Sequence, residues 1–320
     1  MAQAELRGGQ TPPTRVRLSE RESGRRLAGT NSFAPYLFLL PFMLLFTTFI
    51  LFPAVWGLFI SLFDWDFLLP GKPFVGLENY TDLFSTSSRF GSQFWQSMRA
   101  TGLFTLLSVP LLVTIPLGIA VVLNQKLRGQ RVFRAIYFMP YALGIAVVGV
   151  LFRYIFDPNV GLINYYLGVF GLPDDIAWTT SLPAGWGTLV SVTVWWLLGF
   201  NAIIYLAGLQ DIPRDLYDAA EVDGANRWQT FRYVTIPGLK PVLLFVITIN
   251  VLLQGNMFGQ SFLITQGAPG QETQTAIMYI GEQGLRQFQM GDAAAMSYVL
   301  AFFLIVIAIF NFKVLGREDD

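Results

Sequence analysis

Leu216–Pro241 reads L-Y-D-A-A-E-V-D-G-A-N-R-W-Q-T-F-R-Y-V-T-I-P-G-L-K-P, the longest polar, patterned segment between two apolar runs. Pro213 stands where a first helical turn tolerates proline, and Gly224 where a helix stops in a left-handed conformation. Leu216, Ala219 and Ala220 fall at i, i+3 and i+4, a narrow apolar stripe among charges. Asn226 is placed to cap a second helix, with Gln229 at its third position. Trp228 and Phe231 give that helix an apolar side. Pro237 is expected to end it, because the ring removes a donor and clashes with the preceding turn. The prediction is helix, glycine turn, helix, proline stop. A plain connection needs only a handful of residues. A segment this long is either a solvated amphipathic loop or a docking element whose small alanines seat closely in a partner's groove.

The rest of the chain says where such a loop would lie. Of 320 residues, 53% are hydrophobic and 13% charged, against about a quarter charged in soluble domains. That balance points to an all-α membrane protein. Formal net charge is zero, so no global field recruits nucleic acid. Cys and His are absent, which excludes disulfides, thiol nucleophiles, thiolate metal sites and imidazole chemistry; no metal site is expected.

Residues 1–31, with six Arg and three Glu, read as a disordered cytoplasmic tail rather than a signal peptide, since the apolar run that follows is too long. Six transmembrane helices are predicted within residues 32–313: Phe33–Phe63, Ala100–Leu123, Phe133–Phe156, Trp186–Leu209, Pro241–Gln260 and Ala293–Phe312. About 20 residues suffice to cross the hydrocarbon core. Pro110 and Pro116 should kink the second span and Pro140 the third. Residues 314–320 form a short cytoplasmic C-terminal tail. Sixteen of the 21 basic residues fall in the two tails, the 124–132 connection and the Leu216 loop, or at the span ends beside them. By the positive-inside rule both termini and the loop at 211–237 are cytoplasmic. Trp65, Trp178 and Trp186 fall at the predicted outer boundaries, where amphipathic rings settle.

Asp218-Ala219-Ala220, three residues, Gly224-Ala225, five residues, Phe231, five residues, Pro237 resembles the EAA loop of permease subunits in ATP-binding-cassette importers, with Asp218 in place of the usual Glu. Phe74–Tyr80, Arg134–Tyr141, Phe156–Asn164, Leu198–Asn201, Gly267–Thr275 and Phe288–Ala295 resemble the carbohydrate-type permeases of that class, the six-span kind. The resemblance implies a helix–Gly–helix coupling loop carrying Asp218, Ala219, Ala220, Gly224, Ala225, Arg227, Phe231 and Pro237. It implies four kinds of partner: a second permease subunit in a heterodimer, an ATPase dimer, an extracytoplasmic solute-binding protein, and lipid of a bacterial or archaeal plasma membrane. ATP and Mg would be used by the partner ATPase, and this chain would bind no cofactor.

The chain's own chemistry agrees with that division of labour. There is no G-x-x-x-x-G-K-S/T phosphate loop; the sole Gly-Lys pair, Gly71-Lys72, precedes Pro73. No acid lies inside a predicted span, against an intramembrane hydrolase and against proton coupling. Backbone carbonyls bind sodium, so an ion-coupled carrier stays open, as does a sugar-phosphate cargo. For a sugar path, neutral hydrogen-bonding groups near mid-membrane are needed. In the fifth span Asn250, Gln254, Met257 and Ser261 recur at i, i+4, i+7 and i+11, one helical face. They are either pathway or helix–helix glue. Trp195, Asn201 and Asn256 are further pathway candidates.

Overall fold

A computed structural model of the chain describes residues 34–85, 88–125 and 129–315. The expectations for residues 1–31 and for the last residues of the C-terminal tail lie outside the described residues. The chain divides into two units, residues 1–54 and 55–320. Regular structure among the described residues is helical, apart from isolated β-bridges joining Phe63 to Phe74 and Asp66 to Gln289.

The helices, in chain order, are α1 (Tyr36–Ile60), α2 (Glu78–Phe84), α3 (Arg89–Leu123), α4 (Gln130–Ala142), α5 (Ile145–Ile155), α6 (Leu162–Val169), α7 (Ala184–Asp211), α8 (Arg214–Val222), α9 (Arg227–Gly238), α10 (Lys240–Gly255), α11 (Ala276–Gly281) and α12 (Met290–Leu315). Four of them, α1, α3, α7 and α12, are each long and apolar enough to cross a membrane unaided. Two bent pairs, α4–α5 at 94° and α9–α10 at 68°, bring the number to six if each pair is one span.

The third span was expected as one helix kinked at Pro140; it is two helices broken at Leu143-Gly144. Pro140 lies inside α4, and the break comes after it. Two features of α7 hold the break open. The Leu143 carbonyl, freed from the helix ladder, accepts the Trp196 indole N–H at 3.0 Å. Gly199 lets α4 approach so closely that any Cβ would collide with the Tyr137 carbonyl. Pro110 and Pro116, also expected to kink their span, both lie within the single helix α3. The helix that Pro237 is expected to end stops one residue after it, at Gly238, before the bend into α10. Residues 231–235 form a wide π turn in which the Ile236 N–H bonds the Phe231 carbonyl five residues back, and the helix continues to Gly238. Widening the turn ahead of the ring relieves the proline clash. Thr47–Leu51 does the same ahead of Pro53.

Within residues 55–320, α7 is the central helix: 15 of its 28 residues are buried. Its N-terminal half joins Ala100, Phe104 and Leu112 of α3, Val148 of α5, Met257 and Ile264 in one apolar cluster. Trp186 is part of that cluster, 8% exposed, so this ring is packed inside the protein rather than placed at a lipid boundary. The other half of α7, through Tyr205, Leu206 and Leu209, packs with Leu117, Ala120, Leu239 and Val246. A third cluster joins Leu83, Phe94, Tyr279 and Met296. Burying these side chains is the main favourable term in water, whereas between spans close packing and hydrogen bonds carry the association.

Candidate functional site: an exposed helix–glycine–helix loop and a buried amide seam

Residues 212–238 form the helix–turn–helix that the sequence predicts. Pro213 caps α8 from outside. At the other end Gly224 takes φ +75°. Its N–H bonds the Glu221 carbonyl at 3.0 Å, and the Ala225 N–H bonds the Ala220 carbonyl at 2.9 Å. This pair of bonds is a Schellman motif, which satisfies the last carbonyls of α8 and needs a residue free to adopt the left-handed region. An added Cβ at Gly224 meets nothing within 4 Å, so backbone conformation rather than space demands glycine there. Asn226 opens α9 with a capping box. Its Oδ1 accepts from the Gln229 N–H at 3.0 Å, and its own N–H donates to Gln229 Oε1 at 2.8 Å.

The loop has an inner and an outer face. On the inner face Tyr217, Phe231 and Ile236 pack against the second apolar cluster, and the Tyr217 hydroxyl lies 3.2 Å from Thr235 Oγ1. On the outer face Leu216, Val222, Trp228 and Tyr233 are exposed, Val222 at 88% and Trp228 at 68%. Asp218, Ala219, Arg227 and Pro237 are exposed beside them, and Ala220 and Ala225 are half-buried. A cavity of about 610 Å³ runs along α8, lined by Asn124, Leu209, Gln210, Arg214, Tyr217 and Asp218 among others. The turn is capped at both helices and holds these apolar side chains outward beside the groove.

The pathway candidates separate. Asn201 of α7 and Asn250 of α10 are both fully buried and exchange two hydrogen bonds, Asn201 Nδ2 to Asn250 Oδ1 at 3.2 Å and Asn250 Nδ2 to Asn201 Oδ1 at 3.0 Å. Asn201 Nδ2 also reaches the Leu112 carbonyl of α3 at 3.2 Å, and Asn250 Nδ2 the Val246 carbonyl at 2.8 Å. Three helices are tied at one point. One turn further along α10, Gln254 is 1% exposed and its Nε2 has no protein partner. The expected face does not continue to Met257 and Ser261, because α10 ends at Gly255. Met257 is buried in the first cluster, its carbonyl accepting the Thr275 hydroxyl at 2.6 Å. Ser261 donates to the Thr273 carbonyl at 2.5 Å. Asn256 is exposed and donates to the Leu252 carbonyl at 2.9 Å. Trp195 is 39% exposed, its ring 4.9 Å from that of Phe152.

Sequence reading missed two features. The pairing of Asn201 with Asn250 joins residues 49 apart, which no local pattern reports. A second polar cavity, lined by Gln93, Gln271, Gln283, Gln287 and Gln289 among others, was also missed. The run of six glutamines between Gln266 and Gln289 was its available signal.

Residues 114–314 match the family model described as "Binding-protein-dependent transport system inner membrane component". The arabinooligosaccharides transport system permease protein AraP of Bacillus subtilis (strain 168) is 35% identical, covering 92% of this chain and 93% of that protein. The trehalose/maltose transport system permease protein MalF of Thermococcus litoralis is 31% identical over 88% of this chain and 93% of its own length. In structure, a chain of a bacterial ABC transporter involved in the import of the acidic polysaccharide alginate superposes with a TM-score of 0.74 at 24% identity, covering 89% of this chain and 96% of that one. This last likeness establishes the fold. With more than half the chain inside the family model and a relative of this identity along nearly its whole length, the chain belongs to the binding-protein-dependent transport system inner membrane components, a family of multi-pass membrane permeases.

Proposed function

We propose that this chain is one of two permease subunits of an ATP-driven sugar importer, and that residues 211–237 couple it to a separate ATPase. The observation that carries the reading is the outward set of Leu216, Val222, Trp228 and Tyr233 on a turn fixed by Gly224 and Asn226. Apolar side chains held out on a polar loop are costly unless a partner covers them. ATP and Mg belong to that partner, since the sequence carries no phosphate loop. Closure of the ATPase pair then moves α8 and α9, and the packing of Tyr217, Phe231 and Ile236 transmits the movement to α7 and α10. Both termini and the loop lie on the cytoplasmic side of a bacterial or archaeal plasma membrane, as the basic residues favour.

Sugar as cargo is supported by what the relatives' names state they carry, arabinooligosaccharides and trehalose or maltose. An extracytoplasmic binding protein would deliver it, as the family description implies. Gln254 is the pathway residue the geometry favours: its buried Nε2 lacks a protein partner, and a hydroxyl passing beside α10 would satisfy it. Asn250 and Asn201 satisfy each other and act as the fixed point behind it.

The test is Gly224→Val with the complete transporter in native membranes. Valine strongly disfavours φ +75°, so the turn is rebuilt while α7 and α10 keep their packing. Membrane insertion should be normal and sugar uptake lost. Normal uptake would remove the coupling role from the loop.

A further inference from the structure

The glutamine-lined cavity lies at the end of the bundle away from α8 and α9, where the 261–292 connection folds back on α3. Its volume is about 290 Å³. Gln93, Gln271, Gln283, Gln287 and Gln289 line it, and Tyr279 closes one wall by donating its hydroxyl to Gln93 Oε1 at 3.2 Å. Two of the amides are incomplete. Gln283 is 7% exposed and its Oε1 has no protein hydrogen-bond partner; Gln289 Oε1 is likewise buried and unpartnered. Their backbones are fixed: the Gln289 N–H bonds the Gln283 carbonyl at 3.0 Å, and Gln289 bridges to Asp66. A buried amide oxygen left without a donor costs free energy; both oxygens are shut off from the cavity space, and a turn of either side chain would bring its oxygen to a ligand that supplies donors.

The chemistry of the lining narrows the ligand. Amides offer both donors and acceptors and carry no charge. A sugar hydroxyl also donates and accepts, so it matches an amide whichever way the amide is turned. A phosphate or carboxylate offers only acceptors and meets Glu282, the one charged residue of the lining. The Glu282 Oε2 accepts from Gln274 Nε2 at 2.7 Å, which fixes that carboxylate at the rim. We propose that this glutamine cage binds one ring of a neutral sugar, with the Gln283 and Gln289 side chains turning so that ring hydroxyls donate to their Oε1 atoms. It is a holding point at the entrance to the bundle, separate from Gln254 and the amide seam. The cargo class rests on the importer reading above; the site itself rests on the cavity and its incomplete amides.

The native chain has no cysteine, so a single introduced thiol reports the cage directly. Gln287, an exposed member of the lining, is changed to Cys in the full chain, and maleimide labelling is followed in native membrane vesicles. The probes are L-arabinose, D-glucose, maltose and D-galacturonate. A neutral sugar at about ten times its Kd should slow labelling roughly tenfold, with no protection by galacturonate. The protection should vanish in Gln283→Leu, or in Gln289→Leu if the first variant fails to insert. Tyr165→Cys, on exposed α6, should label at one rate throughout. No protection by any neutral probe, equal protection by galacturonate, or equal protection at Tyr165→Cys overturns the proposal. Labelling needs no transport. Protection in a chain that proves to have no ATPase partner therefore leaves the cage standing while the importer reading falls, and the reverse result separates them the other way.

Discussion

Replacing Asn250 by Leu tests the seam that ties α3, α7 and α10 together. Leucine has asparagine's branching but no polar atom, so the change removes all of the side chain's hydrogen bonding and opens no cavity. Three bonds go: two exchanged with Asn201 at 3.0 and 3.2 Å, and one to the Val246 carbonyl at 2.8 Å. Asn201 keeps its bond to Leu112 but its Oδ1 is left buried without a donor. An interhelical hydrogen bond in a membrane contributes about 0.6–2 kcal/mol, and an orphaned buried acceptor costs about 1–3 kcal/mol. Asn250→Leu should therefore destabilise by about 2–3 kcal/mol. Asn201→Leu/Asn250→Leu removes the orphan along with the pair and should cost less than the two single changes summed. The coupling in a double-mutant cycle should be about 1–2 kcal/mol, well beyond the ~0.5 kcal/mol scatter of independent sites. The assay is reversible unfolding of the purified chain in bicelles by SDS titration. A cycle that is additive within that scatter would show that the amides do not act on each other. Sugar uptake should fall in these variants only as far as folded protein falls.

Three further predictions follow from local geometry. Asn226→Ala deletes the capping box and should cost about 0.5–2 kcal/mol of helix stability; faster amide exchange at residues 227–230, with α7 unchanged, is the measurement. Gly199→Ala places a methyl against the Tyr137 carbonyl, a backbone collision that cannot be relieved by a side-chain rotation. It should lower the unfolding midpoint, and Trp196 fluorescence should report the separation of α4 from α7. Asp157 Oδ1 accepts from the N–H groups of Asn159 at 2.8 Å and Val160 at 3.1 Å, with Arg153 nearby. These bonds, Asn159 first, hold its carboxyl below the ordinary carboxylate range. The ionised form is the one the fold favours, so the turn is fully supported above the ordinary carboxylate pKa and is lost as pH falls through the lowered one. Amide exchange at Asn159 and Val160, corrected for its intrinsic pH dependence, should stay protected down to about pH 4 and open only below it.

What the sequence made legible was local. Gly224, Asn226 and Gln229 each act on backbone groups within five residues, so the glycine turn and the capping box follow from spacing alone. Composition and run length likewise announced a helical membrane protein. The misses are places where distant chain decides. Pro140 marks the third span as breakable, but the break sits at Leu143-Gly144 because Trp196 and Gly199 of α7 receive it there. Pro237 lacks a donor as expected, but a π turn absorbs the clash, so the helix stops at Gly238, one residue past the ring, rather than at the proline. The Asn250 face was projected along an uninterrupted helix, whereas α10 stops at Gly255 and returns Met257 to the core. The pairing of Asn250 with Asn201 and the gathering of five glutamines in one cavity arise from tertiary folding, which places far-separated residues side by side.

The central claim is that the 211–237 loop meets an ATPase, and one crosslink tests it most directly. Ala219 lies exposed on α8, and Ala219→Cys carrying a photoactivatable maleimide places the probe on the outward face. After irradiation of native membranes and gentle purification of the tagged chain, the account predicts one protein adduct. That adduct is an ATPase with a phosphate-binding loop, and it is absent when the probe sits at Tyr165→Cys. A chain that purifies alone, with the Ala219 probe attached only to lipid or to nothing while sugar uptake continues, would contradict it.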